Sequence, residues 1–170
     1  MKKIIVIGCP GSGKSVFSRA LHNKTGIPLY HLDMMYWNLD KSIVEKSVFL
    51  QHLLSAMEND EWIIDGNYSS TMYLRASVCD TIVFLDYPVD VCLDGIKSRC
   101  GKARDDMPWI ETEEDKELVE FVKNFNREQR PQILDMIREY TDKRTFVFTS
   151  REQGDAFLDK FSLIDLYKFL

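Results

Sequence analysis

Eight consecutive residues, Gly8-Cys9-Pro10-Gly11-Ser12-Gly13-Lys14-Ser15, carry the densest chemistry in the chain. They fit Gly-x-x-x-x-Gly-Lys-Ser/Thr at every fixed position, the pattern of a loop that wraps phosphate. Gly8, Gly11 and Gly13 let successive backbone N–H groups turn inward around an anion, with Pro10 and Ser12 spacing them. The helix that should follow opens on Lys14, Ser15 and Val16 and points its positive end at the same anion. In this pattern Lys14 reaches the β- and γ-phosphates of a nucleotide, and the Ser15 hydroxyl ligates Mg²⁺.

A phosphate loop works only between a strand and a helix, and the flanks supply both. Lys3 to Ile7 is a short β-branched run that reads as a buried strand, and Val16, Phe17, Ala20 and Leu21 recur at helical spacing. That helix should stop near Thr25-Gly26, with Pro28 beyond it. Further strands are expected at Leu29–Leu32 (ending at Asp33), Trp62–Ile64, Thr81–Leu85 and Thr145–Thr149. Met34 to Asp40 reads as irregular. Ser42 with Glu45 forms a capping-box pattern ahead of a helix through Met57. A short helix is expected over Ser70–Ala76, and another from Pro88 through Ile96. Gly101 to Glu111 loses periodicity and reads as an exposed loop with little to bury. A helical pattern resumes at Thr112 and Asp115, breaks near Pro131 and continues through Ile137. Ser150 and Gln153 suggest a cap for a last helix carrying Phe157, Leu158 and Phe161. Five strands alternating with helices predict an α/β domain with a parallel sheet. In such sheets function collects at the carboxyl ends of the strands. Those ends are the phosphate loop, Asp33, Asp65, Asp86 and Ser150-Arg151.

Composition narrows the classes. The chain has 170 residues, 45% of them hydrophobic and 29% charged, which suits one domain spanning 1–170 with a real core. A net charge of −5 with no basic block argues against direct nucleic-acid binding. No apolar run reaches the roughly 20 residues of a membrane span, and the N-terminus runs straight into a strand. Cys9, Cys79, Cys92 and Cys100 contain no C-x-x-C pair, so reduced thiols in a cytoplasm are expected rather than zinc or disulfides.

These pieces resemble the adenylate-kinase-like group of P-loop kinases nearly end to end. The similarity is carried by Trp62-Ile63-Ile64-Asp65-Gly66, by Asp80 to Asp86 followed by Pro88, and by Arg99 at the end of the next helix. More narrowly, His31-Leu32-Asp33 and Trp62 to Tyr68 are similar to the bacterial DNA topology modulation proteins. The resemblance implies a three-layer P-loop NTPase fold, strand order 2-3-1-4-5, helices on both faces and a short lid over about 101–112. It implies ATP and Mg²⁺ as cofactors, and phosphoryl transfer to a nucleotide, a nucleoside or a small hydroxylated metabolite bound at about 33–76. The alternative it leaves open is a nucleotide-binding regulator with little or no kinase activity. Either form would be a monomer or homodimer. Two departures stand out, one after Asp-Gly and one in the Gly101 to Glu111 loop, which is too short for a folded, zinc-carrying lid. Adenylate kinases follow Asp-Gly with Phe-Pro-Arg, whose arginine holds the acceptor phosphate; here Asn67-Tyr68-Ser69 follow and the nearest arginine is Arg75. The GTPase signature Asn-Lys-x-Asp is absent, since Thr25-Gly26 follow Asn23-Lys24.

Individual roles follow from that frame. Asp65 would hold Mg²⁺, through water, together with Ser15. Asp33, facing the acceptor pocket, would take up or orient the proton of a substrate hydroxyl. Asp86, close before Pro88, reads as a helix cap. His31 reads as a packed residue. Arg99, Arg104, Arg127 and Arg130 are the candidate cations for the transition state, with two of the four expected to reach it. Arg127 and Arg130, three apart, can share one helix face. Arg151 is placed to stack on adenine. Tyr36, Trp37 and Tyr68 fit either a ring-binding pocket or the core, and Trp109 is expected to close over substrate.

Overall fold

In the computed structural model, residues 1–160 are described. Five strands, β1 (Lys3–Gly8), β2 (Leu29–His31), β3 (Trp62–Asp65), β4 (Thr81–Leu85) and β5 (Arg144–Phe148), pair in parallel in the order β2-β3-β1-β4-β5. Successive residues of β1, β3 and β4 point to opposite faces, yet nearly all of them are buried. Helices therefore cover both faces, which is why these strands read as unbroken apolar runs. The edge strands β2 and β5 are only part-buried. The helices are α1 (Lys14–Thr25), α2 (Leu32–Tyr36), α3 (Lys46–Met57), α4 (Ser69–Val78), α5 (Val89–Arg99), α6 (Lys116–Glu128), α7 (Arg130–Glu139) and α8 (Arg151–Lys160).

The strand order places the site. From β1 the chain departs toward β2, and from β4 it departs toward β5 on the opposite side, so a crevice opens between their carboxyl ends. The register sets Gly8 beside Leu85, and Val6 beside Asp65. The phosphate loop thus leaves the sheet centre with β3 on one flank and β4 on the other. Gly13 ends the loop in the left-handed region, at φ 92, and caps α1.

Several local expectations give way to tertiary contacts. Asp33 lies in the first turn of α2, not at a strand end, because β2 stops at His31. The segment after it is ordered by a bridge between Trp37 and Ile43 and by bonds from Asn38 to Ser42. Ser42 does not cap α3: its hydroxyl is taken by Asp40, and Glu45 holds the N-cap position. The helix after the loop starts at Asp115, not Thr112, with Asp115 Oδ1 accepting from Glu117 N and Leu118 N. Pro131 falls in the first turn of a new helix, α7, and the break sits at Gln129. Arg127 and Arg130 consequently lie on different helices and do not share a face. Before α8, Gln153 Oε1 accepts from Thr149 N, one residue earlier than a cap at Ser150 requires. Phe161 lies outside the described residues. Among those residues, no helix is long and apolar enough to cross a membrane.

Candidate active site

The crevice holds a cavity of about 750 Å³. At one end it is lined by Pro10, Gly11, Gly13, Lys14, Ser15 and Val16; Gly8 and Ser12 lie behind that surface. Arg151 reaches the same end, its Nη2 3.4 Å from the Gly11 carbonyl. Lys14 Nζ donates to the Gly8 and Cys9 carbonyls at 3.0 and 3.1 Å. Burial lowers the pKa of its ammonium, while the charges of Asp33 and Asp65 work in the opposite direction. Loop and helix meet at backbone contact on one side. A methyl group added to Gly95 of α5 would lie 2.0 Å from the Gly11 carbonyl oxygen, so only glycine permits this approach.

The turn after β3 contributes Asn67, whose role the sequence pattern does not flag, and Tyr68, read there only as an aromatic pocket or core residue. Asn67 grips the first residue of the phosphate loop in both directions: its Oδ1 accepts from Gly8 N at 3.0 Å and its Nδ2 donates to Gly8 O at 2.8 Å. Tyr68, held at φ 34, donates its phenol to Asp33 Oδ1 at 2.6 Å. Both are set by Arg75, a fully buried guanidinium that donates to the carbonyls of Gly66, Asn67 and Tyr68. Burial pulls Arg75 down to about 10. A grip from the last turn of a helix on residues seven to nine positions earlier matches no local pattern; an arginine on a mostly apolar helix face is the one available signal.

The same cavity is lined by Asp33, Tyr36, Trp37, Tyr68 and Trp109. Burial raises the carboxyl of Asp33 above its ordinary range, against the Tyr68 hydrogen bond and the Lys14 charge. Tyr36 packs on Trp37, Phe49 and Tyr68, with centroids 4.7 to 5.4 Å apart. The aromatic residues thus pack against one another and line the cavity at once. Trp109 meets Trp37 edge-on at 5.3 Å.

The 101–112 segment is less exposed than its composition suggests. Asp106 is only 7% exposed. It accepts from Ser15 Oγ at 2.6 Å and from Arg104 Nε and Nη2 at 3.1 and 3.2 Å. Glu111 pairs with Arg99 at 2.8 Å and with Arg104 at 3.1 Å. Arg99 and Arg104 both line the cavity. Arg127 does not; its side chain is 74% exposed and meets Glu128. Nor does Arg130, which holds Asp86 through two bonds of 2.8 Å. Asp86 is therefore an ion-pair partner rather than a cap, and Pro88 occupies the N-cap of α5. Arg19, one turn beyond Ser15, also lines the cavity, with a buried Nη1 that has no hydrogen-bond partner among the described residues.

Ser15, Asp65 and Asp106 supply hard oxygen donors beside the loop, the donor type Mg²⁺ selects. Asp65 is engaged by His31, whose Nδ1 lies 2.9 and 3.0 Å from its two carboxylate oxygens. Burial lowers the His31 pKa, but the Asp65 bond and charge outweigh it and the net shift is upward. Among the described residues no three His, Cys, Asp or Glu side chains converge as a protein-only metal cage. Mg²⁺ beside a nucleotide needs none, because phosphates and waters fill most of its positions.

No protein-family model and no curated sequence matches this chain. Solved structures do. A shikimate kinase from Bacteroides thetaiotaomicron is similar over 97% of both chains at 19% identity, with a TM-score of 0.55. An unliganded sugar kinase from Janibacter sp. is similar over 94% of this chain and 91% of its own, at 13% identity and the same TM-score. The chain has the α/β fold of these kinases.

Proposed function

We propose that this protein is an ATP- and Mg²⁺-dependent kinase that phosphorylates a hydroxyl of a small acceptor bound beside Asp33. One observation carries the reading: a single cavity joins the phosphate loop and Lys14 to Asp33, with Arg99 and Arg104 on its wall. Phosphoryl transfer is largely positioning and charge neutralisation, and this is the equipment it needs. Lys14 would hold the transferred phosphoryl group. Arg99 and Arg104 would stabilise its equatorial oxygens. Asp33, oriented by Tyr68, would accept or orient the acceptor proton through its second carboxylate oxygen. Mg²⁺ at Ser15 would neutralise the β- and γ-phosphates. Arg151 would lie against the base.

The acceptor is better described as a hydroxylated small molecule than as a nucleoside monophosphate. The arginine nearest the β3 turn, Arg75, is committed to three backbone carbonyls and cannot hold an acceptor phosphate. A screen of sugars, hydroxy acids, nucleosides and nucleoside monophosphates for acceptor-dependent ADP release tests the reading. One hydroxylated class is expected to stimulate release, and Lys14→Ala is expected to abolish it while folding normally. Release that is stimulated only by monophosphates would overturn the acceptor assignment.

A second reading rests on the pairing of Arg99 and the lid residue Arg104 with Glu111 and Asp106. A regulator of the topology-modulation type would bind ATP and keep those pairs. ATP binding without ADP release for any acceptor would favour it.

A further inference from the structure

In the reading above, the carboxylate at the end of β3 is the natural partner of the metal. Here that residue, Asp65, is only 4% exposed and both its oxygens face His31 Nδ1. The Ser15 hydroxyl turns instead to a residue 91 positions away, Asp106 of the lid, at 2.6 Å. A serine hydroxyl has one proton and two lone pairs. Donating the proton to a carboxylate fixes the rotor and leaves the lone pairs for a cation.

We propose that Asp106 is the carboxylate of the Ser15 metal site, orienting the Ser15 oxygen toward Mg²⁺ and accepting hydrogen bonds from the waters the metal keeps. The inference rests on the kinase reading and specifies its metal site. Asp106 is built for this position. Arg104 holds it through two bonds, Glu111 holds Arg104, and Glu111 in turn pairs with Arg99 at the end of α5. The Ser15 bond and the Arg104 charge keep the Asp106 carboxyl ionised against the cost of burial. Because Asp106 sits on the lid and Ser15 on the loop, the metal site is complete only when the lid is down. The cation then links the two elements, and metal binding and lid closure become one equilibrium.

The site can be read directly with Mn²⁺ as the probe. Mn²⁺ binding to the ADP complex is followed by electron paramagnetic resonance, and ADP binding without metal by calorimetry. For Asp106→Asn we expect Mn²⁺ affinity in the ADP complex to fall by about tenfold or more, the scale of lost partners around metal ligands. Metal-free ADP affinity should be kept or improved, since a negative charge leaves the phosphate site. Asp106→Glu should recover part of the loss. In the wild type, amide exchange over 101–112 should slow further with Mn²⁺ plus ADP than with ADP alone. Unchanged Mn²⁺ affinity in Asp106→Asn, or equal exchange with and without metal, overturns the proposal. Tighter binding of both metal-free and metal-bound ADP overturns it as well and makes Asp106 a plug over the loop. If wild-type protein binds no ADP, the kinase reading falls, and this inference with it.

Discussion

Arg75 and Asp33 show how much of the site depends on single buried charges. Arg75 has no exposed surface and satisfies three backbone carbonyls in the turn after β3. Removing its guanidinium takes the donor from the Gly66 and Asn67 carbonyls, while the Tyr68 carbonyl keeps Thr71 N, and a lone buried polar group already costs about 1–3 kcal/mol. Arg75→Met is expected to lower stability by roughly 2–4 kcal/mol, measurable by urea unfolding. A loss below about 1 kcal/mol would mean that the turn does not depend on the grip. Asp33 carries a prediction about pH. Its carboxyl lies above the ordinary range because it is buried, so the ionised form is lost earlier as pH falls. The acid limb of kcat/KM should therefore lie above pH 3.8, the ordinary carboxyl value. Asp33→Asn should remove that limb and lower kcat by about 10²-fold or more. An unchanged limb in the variant would assign it to another group. Residues of this kind divide by legibility. Lys14 and Ser15 announce themselves because their chemistry needs a fixed local spacing. Asn67, Arg75 and Asp106 act across 59, 8 and 91 positions. The contacts of Asn67 and Asp106 lie outside any sequence window, and that of Arg75, though within one, matches neither the helical nor the strand period and forms only once the turn has folded.

The elements themselves were legible wherever burial is uniform. β1, β3 and β4 are apolar along their length because both their faces are covered, and their positions followed from composition alone. Helix starts were less legible, because Ser42 and Thr112 compete with Glu45 and Asp115, and the neighbouring side chains decide between them. Packing between elements was not legible at all. Gly95 lies inside α5, where alanine would ordinarily add about 1 kcal/mol of helix stability. Its added Cβ would instead press on the Gly11 carbonyl oxygen at 2.0 Å. The overlap is with backbone, so loop or helix must move, at a cost of about 1–3 kcal/mol. Gly95→Ala is expected to weaken ADP binding by about tenfold, equivalent to about 1.4 kcal/mol. Gly26→Ala is the control: Gly26, unlike the helical Gly95, has positive φ, and its Cβ would meet open space, so the substitution should cost stability without affecting ADP affinity. Equal ADP affinity in Gly95→Ala would show that the contact is not coupled to the loop.

For the molecule as a whole, the lid and the sheet are held by different forces. The sheet is closed by apolar burial, which salt leaves intact. The lid is closed by Ser15–Asp106, by the pairs among Arg99, Arg104, Asp106 and Glu111, and by one ring contact between Trp37 and Trp109. Its composition of alternating charges and no apolar stripe predicts a loose loop; the charges find each other and tie it down. Amide exchange over 101–112 should accelerate in about 1 M salt, where screening shortens to about 3 Å, while β1 and β4 stay protected. An ATP analogue with Mg²⁺ and acceptor should slow it. Exchange over the lid that ignores both salt and ligand would leave the ion pairs without a closing role. The turn after β3 has a different consequence at this scale. Asn67 fixes the start of the phosphate loop, and the next residue, Tyr68, fixes Asp33. The phosphate loop and Asp33 are thus surveyed from one benchmark. A shift of that turn is expected to carry the Gly8 and Asp33 contacts together, so the gap between them drops out of the motion as a common displacement does in a differential measurement.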